Sequence, residues 1–370
     1  MELTDLLISG RKLTMFRKGD VFKYFYLYYS DFDGANGDVW REYITIPITR
    51  VPHEYSQYRI VIDDTNVSVY NVERTLKAQS PIASNFWSLI RSDGFDIRVF
   101  DHLFNQLWFW VGEFDYTNKK AEIWVRLPEN SEELNIAYGN PSATKSDYEN
   151  PEQVFELFDD FEDGVLGSQW EYHDGCSTDD YYEESNGVGT IHVNYVDGCS
   201  SHLPQANYND TPTLEANLPD GDFELIVVVY NWNPPAGDLP YHEVGVMFVQ
   251  DEDDFLGYYL GHSDWKIVYS RSRFKVDAGT TSITTTWSGS PDTRTYRYIK
   301  VVRRGDTYTF YYSTDGITWS NEGSETKAGL TKLALSVYVG SGSYSASFDF
   351  VQMKKLADPA DFGTPRILEF

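Results

Sequence analysis

The sequence predicts an all-β protein: two antiparallel β-sandwiches of jelly-roll type in tandem, with extended arms at the N and C termini. Three observations predict it. Tyr (28), Phe (22) and Trp (10) make up 16% of 370 residues, and they recur with Val, Ile and Thr in short runs, the composition of half-buried pleated sheet. The runs alternate apolar and polar with period two. Gly, Asn and Asp separate them at hairpin spacing. No heptad, solenoid repeat or long amphipathic helix breaks this pattern. The best helical candidate, Asn71–Gly94, is interrupted by Pro81 and predicts a turn or two of helix across a sheet end.

The elements follow in order. Residues 1–30 form a locally basic arm, with Arg11, Lys12, Arg17, Lys18 and Lys23 against Glu2, Asp5 and Asp20, ending in the aromatic run VFKYFYLYY (Val21–Tyr29). That run is either an edge strand of the first domain or an arm that pairs with a partner. A first sandwich spans 31–145, with strands in WREYITIPI, QYRIVI, FDIRVFD, LWFWVGEFD, KAEIWVRLP and ELNIAYG. Residues 146–153 lie in a Gly-, Pro-, Ser- and Asn-rich stretch that reads as a linker. A second sandwich spans 154–356, with strands in TIHVNYV, DFELIVVVYNW, EVGVMFVQ, FLGYYLG, WKIVYSR, TYRYIKVVRRG, DTYTFYYSTDGITW, TKLALSVYVG and SASFDFVQMKK. The tail, 357–370, combines two prolines with Ile367, Leu368 and Phe370, and reads as a contact segment.

The formal net charge of −27 argues against a general nucleic-acid surface and suits salt, calcium or neutral glycans. No stretch is apolar for long enough to span a membrane as a helix. The first twenty residues lack the pattern of a secretory signal. An extracellular or virion-surface location therefore implies processing, or release by lysis.

The tetrapeptide DGCS occurs twice and holds both cysteines, Cys176 and Cys199. Their spacing excludes a redox CxxC, and His173, His192 and His202 do not complete a zinc pattern. A disulfide between strand-end loops is the leading reading, worth about 3–4 kcal/mol on the chain-entropy model. Two free thiols and a metal site remain the alternatives. A bond favours an oxidising compartment.

Two resemblances come from these segments. WREYITIPI (Trp40–Ile48), SDGFDIRVFD (Ser92–Asp101), AEIWVRLP (Ala121–Pro128) and IAYGNPSAT (Ile136–Thr144), in that order, resemble a domain of unknown function found in front of lectin-like modules, over about 38–143. FDDFEDGVLGSQW (Phe158–Trp170), RYIKVVRRGDTYTFYYSTDGITW (Arg297–Trp319) and SASFDFVQMKK (Ser345–Lys355) resemble concanavalin A-like, laminin-G-like jelly rolls, over about 154–356. The second resemblance implies sugar or protein binding and, in some members, hydrolysis. Hydrolases of that fold carry paired glutamates on one strand. ELFDDFED has the wrong spacing and QDEDDF looks like a turn, so a glycoside hydrolase is the third reading.

Asp159, Asp160 and Glu162, beside Asp163, crowd the start of the second domain, and Asp349 lies on its last strand. In a jelly roll the first and last strands are commonly neighbours, so these carboxylates are candidate Ca2+ ligands. The alternative is a solvated acidic turn; Asp251, Glu252, Asp253 and Asp254 form a weaker cluster. Trp232, Tyr241, Tyr259, Trp265 and Trp287 are candidate carbohydrate platforms, whereas Trp170 and Trp319 are expected in the core. The first functional reading is a non-catalytic structural or adhesion protein of a surface assembly such as a virion, forming a homo-oligomer, with a trimer as the guess, alongside other structural proteins and displaying a lectin-like domain. The alternative is a secreted or cell-surface carbohydrate-binding module.

Overall fold

The structure, a computed structural model, describes residues 3–8, 11–18, 21–25, 42–50, 56–70, 75–79, 82–194, 210–230, 242–263, 268–288, 295–340, 342–356, 361–362 and 366–369. It is almost entirely β. Two compact units form, Met1–Phe155 with Leu356–Phe370, and Glu156–Lys355. The second unit is thus inserted into the first, and the C-terminal tail belongs with the N-terminal half.

In the first unit, β1 (Leu3–Ile8), β2 (Arg11–Lys18) and β3 (Val21–Phe25) form a three-stranded antiparallel sheet. The aromatic run therefore begins as the third strand of a separate sheet, not as an edge of the sandwich. The sandwich follows with β4 (Glu42–Arg50), β5 (Ser56–Ile62), β6 (Asn66–Tyr70), β7 (Thr75–Gln79), α1 (Ile82–Leu89), β8 (Arg98–Phe100), β9 (Phe109–Asp115), β10 (Lys120–Leu127), β11 (Glu133–Tyr138) and α2 (Pro151–Val154). One sheet has the order β7-β6-β5-β10-β9 and the other contains β4-β11-β8. Ile44, Ile46, Ile60, Ile123, Val125 and Ile136 fill the space between them, with Phe86 of α1. α1 begins just after Pro81, where a proline is tolerated.

Buried polar groups explain the spelling of SDGFDIRVFD and IAYGNPSAT within this unit. The buried Asp96 carboxylate accepts the N–H groups of Arg91 at 3.0 Å and Gly139 at 2.8 Å. Arg91 donates to the carbonyls of Pro141 and Ala143, and Arg98 to that of Thr144. The loop after β11 is thereby clamped to β8. The stretch that follows is ordered. Asn150 caps α2 by accepting from Glu152 N–H, and Phe155 packs edge-on against Trp110 at 5.7 Å and Trp124 at 5.3 Å. Its Pro, Asn and Ser spell a capped turn as readily as a flexible linker.

The second unit runs β12 (Leu157–Asp159), β13 (Glu171–His173), β14 (Tyr181–Ser185), β15 (Val188–Asn194), β16 (Thr213–Asn217), β17 (Phe223–Tyr230), β18 (His242–Asp251), β19 (Asp254–Ser263), β20 (Val268–Asp277), β21 (Thr280–Ser288), β22 (Tyr296–Arg304), β23 (Thr307–Ser313), β24 (Ser320–Thr326), β25 (Lys332–Val339) and β26 (Ser343–Lys355). One sheet has the order β14-β15-β26-β17-β22-β23-β24, with β12 also on β26; the other is β13-β16-β25-β18-β19-β20-β21. Val227, Val229, Val246, Tyr258, Ile299, Phe310, Leu335 and Phe348 are among the side chains packed between them. Arg271 and Arg273 of β20 reach Glu322 and Glu325 of β24, closing one edge.

The chain then returns to the first unit. β27 (Asp361–Phe362) and β28 (Arg366–Glu369) pair antiparallel with β4. The tail is extended as its sequence predicts, but its pairing is within its own chain. No helix among the described residues is long and apolar enough to cross a membrane.

Asp96→Ala removes the acceptor of one buried and one part-buried N–H group and should lower the stability of the first unit by about 2–4 kcal/mol. Denaturant melts followed by a probe in each unit check this; an unchanged first transition contradicts the clamp.

Candidate functional site

Side chains of the seven-stranded sheet alternate between the inter-sheet core and the opposite, outer face. Val244, Val246 and Phe248 of β18 point inward, so Glu243, Gly245, Met247 and Val249 lie outward. Strand register then assigns rows across this outer face. The first row is His173, Thr213, Ser336, Gly245, Tyr259, Ser272 and Thr285. The next is Tyr338, Glu243, Gly261, Ser270 and Trp287. Along the strands in the other direction the face becomes apolar, with Met247, Val249, Phe255, Phe274, Val276 and Ala334 forming their own cluster.

The polar end is buried. Thr213 and Ser336 have no exposed surface, while Ser272 and Glu243 retain 4% and 6%. Glu243 Oε2 and Ser336 Oγ have no hydrogen-bond partner among the described residues. Burial alone pushes the Glu243 carboxyl up to about 7. Gly261 is required beside it, because a Cβ there would lie 2.5 Å from Ser270 Oγ and 3.1 Å from Glu243 Oε1. A cluster of polar groups is thus packed closely over two glycines, Gly245 and Gly261.

Trp232, Tyr241 and Trp265 lie outside the described residues, as does Cys199. Trp287 is placed by register opposite Ser270. Cys176 is disulfide-bonded, and its N–H donates to Asp210 O at 3.2 Å, just past the segment that carries Cys199. Tyr259 corrects the expectation made for it. It is fully buried, with its ring on Phe274 at 5.3 Å, so it supports the floor and offers no exposed platform.

Glu215, which faces Glu171 across β13 and β16 on the same face, accepts from Thr213 Oγ1 at 3.1 Å and pairs with Lys332 at 2.6 Å. Two strand spacings and four residues separate its backbone position from that of Glu243, roughly 16 Å apart. Paired carboxylates in glycoside hydrolysis stand about 5–10 Å apart.

The acidic start of the unit makes local hydrogen bonds. β12 does pair with β26, bringing Asp159 opposite Val351. The Asp159 carboxylate, however, accepts Phe161 N–H at 2.8 Å and Trp170 Nε1–H at 2.7 Å, fixing the turn and the buried Trp170. Asp160 and Glu162 are exposed, and both hold the half-buried Asp349 carboxyl above its ordinary range, after the larger effect of its burial. Among the described residues no group of three or more His, Cys, Asp or Glu is gathered to hold a metal ion. The second cluster is a hairpin turn, in which Lys327 binds Asp254 at 2.7 Å and also Asp277.

Two features had no sequence signal. Glu184 on β14 accepts Gly164 N–H and Tyr182 O–H, and burial together with Asp163 pushes its carboxyl to about 7. On the outer face of the other sheet, Lys300 lies over the rings of Tyr311 at 4.8 Å and Trp319 at 4.3 Å, so Trp319 is not a core residue. Tyr230 and Tyr296 pair nearby at 5.3 Å.

The profile of a family described as a domain of unknown function (DUF2341) matches residues 93–173. That range runs from β8 to β13, further along than the 38–143 expected, and omits WREYITIPI. No curated protein matches the chain. Among solved structures, a functionally unknown protein from Saccharomyces cerevisiae is 14% identical over 52% of this chain and 98% of its own, with a TM-score of 0.40. The CBM2 module of the evolved Dit of Lactobacillus casei BL23 phage J-1 is 10% identical over 55% and 96%, with a TM-score of 0.41. The GH43 protein BlXynB of Bacillus licheniformis is 14% identical, with a TM-score of 0.41. There the match covers 80% of this chain but only 63% of that one.

The two carboxyls pushed to about 7, Glu184 and Glu243, give a signed pH dependence. The fold favours the neutral acid of Glu184 and Glu243, so their contribution is complete below the unfolded value of 4.5 and is lost as pH rises through about 7. Stability should fall between pH 5 and 8 (roughly the window these values span), and Glu184→Gln or Glu243→Gln should each flatten the fall. Variants whose pH profiles superimpose on that of the parent chain contradict this assignment.

Proposed function

We propose that the second unit is a non-catalytic carbohydrate-binding module that takes a glycan at the Glu243 end of its seven-stranded sheet. One observation carries this reading. One end of the outer face of the seven-stranded sheet carries two polar rows, Thr213, Ser336 and Ser272 in one and Glu243 and Ser270 in the next, with Trp287 in register with Ser270. Ring faces beside a few placed hydrogen-bonding groups are what a small polar ligand requires. The wide separation of Glu215 and Glu243 supports binding over hydrolysis. The module's setting is extracellular, which the disulfide at Cys176 favours.

The assembly role read from the sequence leaned on both chain ends as contact arms. β27 and β28 occupy β4 of their own chain, which removes the C-terminal half of that ground. Calcium has no gathered ligand set to support it among the described residues and is not part of this proposal.

A glycan array with the intact chain, followed by titration of the best ligand, tests the reading. Trp287→Ala should weaken binding roughly tenfold or more, as loss of a tryptophan anchor does, while Tyr296→Ala on the other sheet should leave it unchanged. Binding lost with Tyr296→Ala and kept with Trp287→Ala would move the site to the other sheet. No bound glycan at all would end the proposal.

A further inference from the structure

Independently of the glycan reading, we propose that β21 is an open pairing edge through which two copies of this chain join, strand to strand, into one sheet continuous across a two-fold axis. The first ground is where β21 lies. It ends the seven-stranded sheet, and among the described residues no strand pairs with its outer side. The last strand of the opposing sheet, β24, reaches β20 through the Arg271–Glu322 and Arg273–Glu325 pairs. Thr280, Thr281, Ser282, Ile283, Thr284 and Thr286 are exposed, residues of both faces alike, with Ile283 at 50%. A strand so placed covers little of its own chain, and its β-branched side chains gain little packing there.

The second ground is that this edge carries none of the devices that keep sheet edges apart. TTSITTTWS has no charge, no proline and no glycine, and it pairs with β20 without a register shift. The other edges of the unit are guarded. β13 has three residues, β14 carries Glu183 and Glu184, and β24 carries Glu322 and Glu325 with an irregularity beside Phe310.

The third ground is register. Ala278 (φ 43°) and Gly279 (φ 74°) make a two-residue turn, so Asp277 and Thr280 are a hydrogen-bonded pair. Alternation along the ladder then turns the backbone groups of Ser282, Thr284 and Thr286 towards β20, and those of Thr281, Ile283, Thr285 and Trp287 outward. A second copy of β21, antiparallel and centred on Thr284, sets Ile283 against Thr285 and Thr281 against Trp287. Every outward residue thereby meets another, which forms roughly eight backbone hydrogen bonds. The strand is complementary to itself.

Charge also selects a second copy as the occupant. At −27 the chains repel one another over most of their surface. Here they do not: β21 is uncharged, and the charges of β20 are paired, Arg271 with Glu322, Arg273 with Glu325 and Lys275 with Asp277. One strand pair buries less surface than a tight interface does, so the association belongs in the micromolar range. Added salt screens the repulsion elsewhere and should strengthen the dimer.

The test is sedimentation of the intact chain from roughly 1 to 300 µM, in low and in high salt. The proposal expects a reversible equilibrium between monomer and dimer, tighter in high salt. Ile283→Pro removes an outward N–H without touching a bond to β20, so it should weaken the dimer roughly tenfold or more while melting as the parent chain does. Thr284→Lys and Thr284→Glu each set like charges opposite one another at the axis. Each should weaken the dimer roughly threefold or more, and mixing the two variants should restore it. If the proline variant melts early, the charge variants decide alone. A parent chain that is monomeric at every concentration overturns the proposal. So does an Ile283→Pro variant that folds and dimerises as the parent does, because the interface then lies elsewhere. Dimers lost in both charge variants and not recovered on mixing overturn the two-fold pairing.

Discussion

The pairing of β12 with β26 is the constraint on which the two-unit organisation depends. Leu157, Phe158 and Asp159 lie antiparallel to Met353, Gln352 and Val351, and Glu156 N–H donates to Met353 O. The strand on which the chain enters the second unit is thereby zipped to the strand on which it leaves. Entry and exit share one end of the sandwich, and the tail is delivered back to β4. At that same end the strands join through short turns such as Arg304–Thr307 and Asp277–Thr280, with Asp222 accepting from Gly305 N–H. Glu243 lies at the opposite end of β18. The covalent connection and the candidate site therefore occupy opposite ends of the second unit.

The seven-stranded sheet divides its outer face between two tasks. Near the entry end Met247, Phe255, Phe274 and Val276 form an apolar cluster. Near the other end the same strands carry Ser, Thr, Gly and Glu. Dry packing at one end holds the strands that position the polar groups at the other. Tyr259 lies at the junction, on the row of Ser336 and Ser272 but packed against Phe274.

Most of the architecture was legible because central strands are buried on one or both faces and carry strong alternation. The strands that sequence reasoning passed over are instructive: β13 and β21 edge one sheet, and β14 and β24 edge the other. Edges meet water and carry polar residues, so YYEES, SNEGSET and TTSITTTWS show little hydrophobic period. Glu243 was hidden for a related reason. A single glutamate opening EVGVMFVQ has the spelling of a solvated position, and only strand register shows it to be buried. In the acidic run at 159–163, Asp159 accepts from a turn N–H and an indole N–H that lie close in sequence. Tyr259 was chosen as a loop ring, and β19 extends through it.

A crystal structure of the intact chain with a neutral oligosaccharide bound tests the central claim most directly. The account predicts the sugar at the end of the seven-stranded sheet that carries Glu243 and Trp287. A sugar seated instead on the rings around Lys300 and Tyr296, with the Glu243 end unoccupied, would contradict it.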